Sequence, residues 1–471
     1  MFDKLADLGD GALLTEMSDA LRQERRSMGR RLVAAGRLSQ RRIAQSGAED
    51  ANQWCIDNWE LLAAEVGAEL GVSRGRASSQ MGYGLRLIEA FPKLAEVVWN
   101  GDVDYRVVTQ IDHRTGLVED PEVLALLDEK LAEKAATWNA RSRDKTAEAI
   151  DWLVANLDPE AVRLSRKSDD DRYIDVNPGR DGMAYIEGSV RGPQGIAFDK
   201  KLDQIADSVC RDDPRTKEQR RADALDALTD GLSVMPCLCG SEDCPAGANP
   251  EPASSQTVVY VLAEQGTVDG DSDKPGFQPG VGAVPAANVA ALAKKARVRK
   301  LPNPKDLREE PQYRPSAALA AFVRFRDMTC RWPGCGVPAS RCDIDHTVPY
   351  PFGPTHPSNC KLYCRRHHVI KTFFAGKGRW REVQMPDGTM KYTSPTGRRY
   401  VTEPFGALLF PQLAKPTGTI VLPAGVPPPE SGFKTLAMPL RRRSRAEERA
   451  YRIEWERNQN RKRFAADPPP F

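Results

Sequence analysis

Between Cys330 and Lys371 this 471-residue chain gathers four of its five histidines and five of its ten cysteines. They fall as Cys330-Arg-Trp-Pro-Gly-Cys335, Asp343-Ile-Asp345-His346, Ser358-Asn359-Cys360 and Cys364-Arg-Arg-His367-His368-Val-Ile-Lys371. Zinc takes four soft or borderline ligands in a tetrahedron, and two short-spaced pairs brought together by the fold supply them. Cys330 and Cys335 flank a Pro-Gly turn. Cys364 and His367 stand at i and i+3, on the same side of a helical turn. These four residues form the expected structural zinc set. His367 and His368 project about 100° apart on a helix, so His368 faces a different centre. Asp345 and His346 are its companions, with Asn359 beside them, and the carboxylate oxygen suits a hard divalent cation. Arg331, Arg341, Lys361, Arg365, Arg366 and Lys371 surround the set. A metal ringed by cations fits a polyanion, and phosphodiesters are such a class. Cys342 and Cys360 read as small buried residues, and His356 as the shaper of a tight loop.

A second cluster is Cys237-Leu-Cys239-Gly-Ser-Glu-Asp-Cys244. Three cysteines in eight residues suggest a second zinc site, but a structural site needs four ligands. The nearest free cysteine is Cys210. A zinc site and a loop of buried thiols fit these residues equally well.

The segment from Cys330 to Lys371 resembles the HNH endonucleases, the ββα-metal nuclease class, with Asp345-His346, Asn359, His368 and the two ligand pairs all in order. The wider chain resembles the actinobacterial 13E12-repeat proteins, which join a helical N-terminal domain of unknown function to such a nuclease. That second likeness rests on Cys330-Arg-Trp-Pro-Gly-Cys335, Asp345-His346-Thr-Val-Pro-Tyr, Gly353-Pro-Thr-His-Pro-Ser-Asn359 and Ser394-Pro-Thr-Gly-Arg398. Asp212-Asp-Pro-Arg-Thr216 with Arg220-Arg-Ala-Asp-Ala-Leu225 carry it in the N-terminal part. The resemblance implies DNA phosphodiester hydrolysis, leaving 5′ phosphate and 3′ hydroxyl ends. His346 would be the general base, and Asp345 and His368 would hold one magnesium or manganese ion. Asn359 would orient the loop and His346. The basic residues would grip flanking phosphates without reading sequence. Two other readings compete: a zinc-stabilised nucleic-acid-binding protein that does not cut, and an RNase or toxin-type nuclease.

Several elements must position these residues. A helical region, about residues 10 to 157, precedes a hairpin near 173–190. Within it Ala68-Glu-Leu-Gly71-Val-Ser73 has the outline of a helix-turn-helix, and a plain helical hairpin is the favoured reading because recognition helices are usually more basic. A strand is expected at Thr257–Leu262, an exposed loop at Gly266–Ala286 and a short helix at Ala287–Arg299. The fold class is therefore α+β. The expected domains are a helical one at 10–300, a zinc-held nuclease domain at 314–404, and a proline-rich, then basic, flexible tail at 405–471.

Charge divides the chain. From Leu301 onward there are 29 Lys and Arg against 15 Asp and Glu, whereas the first 300 residues carry 39 against 50. A basic half joined to an acidic half points to a nucleic-acid-facing end, with a merely solvated tail as the alternative. No secretory signal and no membrane span are read, so a cytoplasmic location is expected. In that reducing setting the cysteines favour metal over disulfides. Oligomeric state is left open.

Overall fold

The computed structural model describes residues 3–44, 53–163, 172–179, 183–190, 192–244, 246, 260–279, 282–294, 296–376, 378–420 and 437–466. Its chain divides into two compact units, residues 1–164 with 300–471, and residues 165–299. The sequence reading had joined 10–300 into one domain; the contacts instead unite the N-terminal helices with the metal-rich segment.

The first unit opens with α1 (Asp3–Ala6), the long α2 (Asp10–Ala44), α3 (Asn58–Leu70), α4 (Arg74–Glu89), α5 (Pro92–Trp99), α6 (Tyr105–Arg114), α7 (Pro121–Lys134) and α8 (Arg143–Leu157). Their starts are written in the sequence: Asp57, Ser73, Asp104, Asp120 and Ser142 each accept a backbone N–H of the first turn. α5 has no such cap, and the carboxylate of Asp128 on α7 accepts the N–H groups of Lys93 and Leu94 instead. α3 and α4 form a helical hairpin, with Gly71 in the left-handed region at the turn. α4 lies on α2: a Cβ at Gly84 would stand 1.9 Å from the Leu32 carbonyl oxygen. It packs as an interior helix rather than standing free as a reading head.

The second unit begins with the hairpin β1 (Tyr173–Pro178) and β2 (Ala184–Ser189), in antiparallel register Val176↔Ile186. α9 (Gly192–Ala206) and α10 (Lys217–Thr229) follow, the latter opened by a Thr216–Gln219 capping box. The stretch read as a loop holds α11 (Gln265–Asp269), β3 (Gly276–Gln278) and β4 (Gly282–Val284), ahead of α12 (Ala286–Ala293). Of the strand expected at 257–262, residues 257–259 lie outside the described residues, and Leu262 makes a single bridge to Phe277.

The chain then returns to the first unit with α13 (Ala317–Asp327), the antiparallel hairpin β5 (Cys342–His346) and β6 (Cys360–Cys364), and α14 (Arg365–Phe374). A three-stranded sheet, β7 (Arg381–Gln384), β8 (Met390–Thr393) and β9 (Arg399–Thr402), backs it before α15 (Phe405–Leu409). The core of this region is shared with α3: Ile56, Ala64 and Ala68 pack with Trp332, Tyr363, Ile370, Trp380 and Tyr392.

The tail is not flexible throughout, as the sequence had suggested. Residues Arg445–Ala466 form α16, which docks on the N-terminal helices. Ile453 enters their core. Arg457 pairs with Asp158 at 2.7 Å, and the Asn460 side chain donates to the Glu160 and Val162 carbonyls. One apolar anchor and distant acidic partners hold it, and neither shows in local composition.

An ionic cluster ties these parts together. Glu60 on α3, 2% exposed, accepts from Arg366 of α14 and from Arg74 and Arg445. Burial alone would raise its pKa, but Arg366 and Arg74 outweigh that and bring it down to about 2. The stabilisation is therefore complete above the ordinary value of 4.5 and is lost as pH falls toward about 2. Glu60→Gln is expected to destabilise the fold at pH 7 by about 3 kcal/mol. Denaturant melts of both proteins should converge between pH 4.5 and 2; a pH-independent difference would refute the role.

Candidate metal centres

The knuckle between α13 and β5 brings Cys330 and Cys335 to the start of α14, where Cys364 and His367 lie. Among the described residues, the ligand atoms of these four fall within 4.8 Å of one another. The imidazole presents Nδ1 to the sulfurs, 3.4 Å from Cys330 Sγ and 3.3 Å from Cys364 Sγ. Its ring stacks on Trp332 at 4.8 Å and 4°. Gly334, at φ +75°, sets the knuckle: a Cβ there would lie 2.5 Å from the Val72 carbonyl oxygen beyond α3. The neighbouring thiols of Cys330 and Cys335 draw the Cys364 pKa far down, while burial pushes that of Cys330 well up. Cys342 donates to the Val337 carbonyl and Cys360 is fully buried, and neither is among the four whose ligand atoms cluster.

His368, one residue on, faces two carboxylates instead of that cluster. Its Nε2 lies 3.4 Å from Asp345 Oδ1, and its Nδ1 lies 3.0 Å from Asp343 Oδ2. The other oxygen of Asp345, Oδ2, accepts from Lys361 at 2.8 Å and Lys371 at 2.6 Å. Burial works against the charge of Asp345, yet Lys361, Lys371 and His368 hold its pKa far below the carboxylate range. Lys361 also reaches Glu382 of β7 at 2.8 Å. Oδ1 and Nε2 thus face each other, with the second oxygen of Asp345 taken up by the two lysines.

His346 follows Asp345 on β5 and is only 5% exposed. Its Nε2 lies 2.8 Å from the Thr355 hydroxyl, which donates to the Gln312 carbonyl at 2.6 Å. The hydroxyl proton is thus committed, Nε2 carries the imidazole proton, and Nδ1 keeps its lone pair. Burial lowers the pKa to about 4, with Lys371 and Lys361 adding to the effect against Asp345. The ring is neutral at neutral pH. Tyr313 stacks over it at 5.3 Å and 20°. Asn359 is wholly buried and fully used: Oδ1 accepts from Val348 N–H, and Nδ2 donates to the Val348 and Pro354 carbonyls. It holds the loop after β5, and among the described residues its side chain makes no hydrogen bond to His346 or His368. His356 accepts the Ser358 N–H and so shapes that loop.

Half of the cationic ring is internal. Arg331 is buried and donates to the carbonyls of Gly388, Thr402 and Glu403. Lys361 is fully buried between two carboxylates. Lys371 is committed to Asp345, and Arg366 to Glu60. These four were expected at phosphates; the structure uses them to neutralise buried carboxylates and to cap carbonyls. Arg341 and Arg365 remain exposed, and Arg365 makes only a 3.5 Å pair with Asp343. Thr355, Tyr313 and Asp343 bear on the histidines; Tyr313 comes from a loop without a motif, and Thr355 and Asp343 stand inside quoted motifs with no role assigned, because their contacts depend on the fold.

In the second unit, Cys210, Cys237, Cys239 and Cys244 also bring their sulfurs within 4.8 Å of one another. Both four-residue clusters could bind a metal such as zinc.

None of the helices among the described residues is long and apolar enough to cross a membrane. A family model described as "Domain of unknown function (DUF222)" matches residues 19–327, ending just before Cys330. "Uncharacterized protein Rv3776" of Mycobacterium tuberculosis is 42% identical over 480 residues, spanning 96% of this chain and 91% of the relative. "Uncharacterized protein Rv2100" of the same organism is 40% identical over 505 residues, spanning 98% and 90%. No solved structure matches the chain significantly. With most of its length under the family model, and relatives 42% and 40% identical over nearly the whole chain, the chain belongs to the DUF222 family.

Proposed function

We propose that this protein is a metal-dependent endonuclease that hydrolyses DNA phosphodiester bonds at the β5–β6–α14 unit, in the manner of HNH enzymes. The observation that carries the reading is the 3.4 Å approach of Asp345 Oδ1 and His368 Nε2 beside the neutral imidazole of His346, whose Nε2 is held by Thr355. A magnesium or manganese ion held by those two atoms would stabilise charge on the phosphate and on the departing oxygen. The chain's own residues do the rest. Lys361 and Lys371 fix Asp345 through Oδ2 and leave Oδ1 for the ion. Asp343 orients His368 through Nδ1. Thr355 fixes the tautomer of His346, whose Nδ1 accepts the proton of the attacking water. Asn359 keeps the loop that carries Thr355 in place. Arg341 and Arg365 are exposed and meet flanking phosphates. The Cys330, Cys335, Cys364 and His367 set holds a structural zinc that orients α14.

One observation favours a second reading. His346 is nearly enclosed beneath Tyr313, and a base that never meets water would leave a protein that binds nucleic acid without cutting it. Supercoiled plasmid incubated with the full chain separates the two. The proposal expects relaxed product with magnesium or manganese and none with chelator. Gel shift without product under every metal would support the binding protein. RNA cleaved in preference to single- or double-stranded DNA would replace DNA as the substrate.

A further inference from the structure

The second cysteine cluster lies outside the unit that carries the proposed nuclease, and its geometry stands independently of that reading. Cys210 follows the end of α9, and the other three cysteines lie on the loop after α10. Cys210 Sγ and Cys237 Sγ are 3.5 Å apart, and all four sulfurs lie within 4.8 Å of one another. A tetrahedral tetrathiolate with bonds of about 2.3 Å places its sulfurs about 3.8 Å apart. The fourth ligand that the local sequence lacked is thus supplied across the α9–α10 pair.

Gly240, at φ +72°, permits the tight turn after Cys239. Buried Asp213 accepts from Leu238 N–H and pairs with Arg215, which also donates to the Pro236 carbonyl, so both cysteine-bearing loops are tied together. The adjoining core is small, consisting of Ile205, Val209, Ala224, Ala227 and Met235 with a few partly buried neighbours.

We propose that Cys210, Cys237, Cys239 and Cys244 bind a second, purely structural zinc ion, and that this ion is what fixes residues 201–244 as a folded unit. Four thiolates leave no open coordination position, so the site is closed to substrate. The test is metal content of the full chain, purified under reducing conditions. Two zinc ions per chain are expected, falling to one in Cys239→Ser. The cobalt-substituted protein should bind two equivalents, one with the stronger sulfur-to-metal absorption of a four-sulfur site. Removal of the metal should open the Arg211–Arg221 stretch to trypsin, while zinc-loaded protein resists. One zinc per chain in the wild type would overturn the proposal, as would unchanged content in Cys239→Ser or a disulfide among these cysteines in the reduced preparation. Should Cys239→Ser be recovered only as aggregate, the wild-type count decides alone.

Discussion

His346→Ala is expected to lower plasmid cleavage by about 10²–10⁴-fold, the range for loss of a positioned general base, while nucleic-acid binding by gel shift is unchanged. The ring is neutral because it is buried, and its free Nδ1 follows from the bond that Nε2 makes to Thr355. Thr355→Val should produce a smaller loss of the same kind, because the ring then loses the partner that selects its tautomer. Neither substitution touches Asp345 or His368, so metal affinity should hold in both. Full cleavage by purified His346→Ala would remove this residue from the reaction. Loss of binding together with cleavage would mean that the change had damaged the fold.

The second large effect is expected at the cysteine cluster of the proposed nuclease. Structural zinc contributes about 10–16 kcal/mol of apparent binding free energy to a small domain, as much as or more than the total stability of about 5–15 kcal/mol of most proteins. Cys364→Ser removes a ligand at the start of α14, one helical turn before His368. The variant should lose one zinc per chain and its cooperative melt. Tryptophan fluorescence should change with them, since Trp332 stacks on the ligand His367 and packs against Trp380. The damage should spread to the N-terminal helices, because α3 lies in the same core. Wild-type zinc content and wild-type melting in this variant would contradict a structural zinc there.

The short-range part of the site was legible in the sequence, because ligand spacing of three to five residues determines which side of a turn each atom faces. The pairing of Cys364 with His367, and the separation of His367 from His368, needed nothing more. The long-range part was not. Cys210 joins three cysteines from beyond α10 only through the packing of α9 against it. Glu60 meets Arg366 across three hundred residues of chain, and no local pattern marks either as a partner of the other. The internal pairing behind the charge division was hidden for the same reason. Much of the basic half answers the acidic half inside the molecule, as Arg366, Arg441 and Arg445 meet Asp57 and Glu60, and Arg457 meets Asp158. Lys361 was placed among phosphate contacts because cations are usually solvated, yet β6 is buried along its whole length. Its ammonium is turned inward to two carboxylates.

The central claim is that Asp345 and His368 share one divalent ion. A crystal of the zinc-loaded protein soaked in manganese, with anomalous data collected at the manganese edge, tests it most directly. The account predicts a single manganese peak about 2.2 Å from both Asp345 Oδ1 and His368 Nε2, absent in an Asp345→Asn crystal. A manganese peak elsewhere, or none at millimolar metal while Lys371 still holds Asp345, would contradict it.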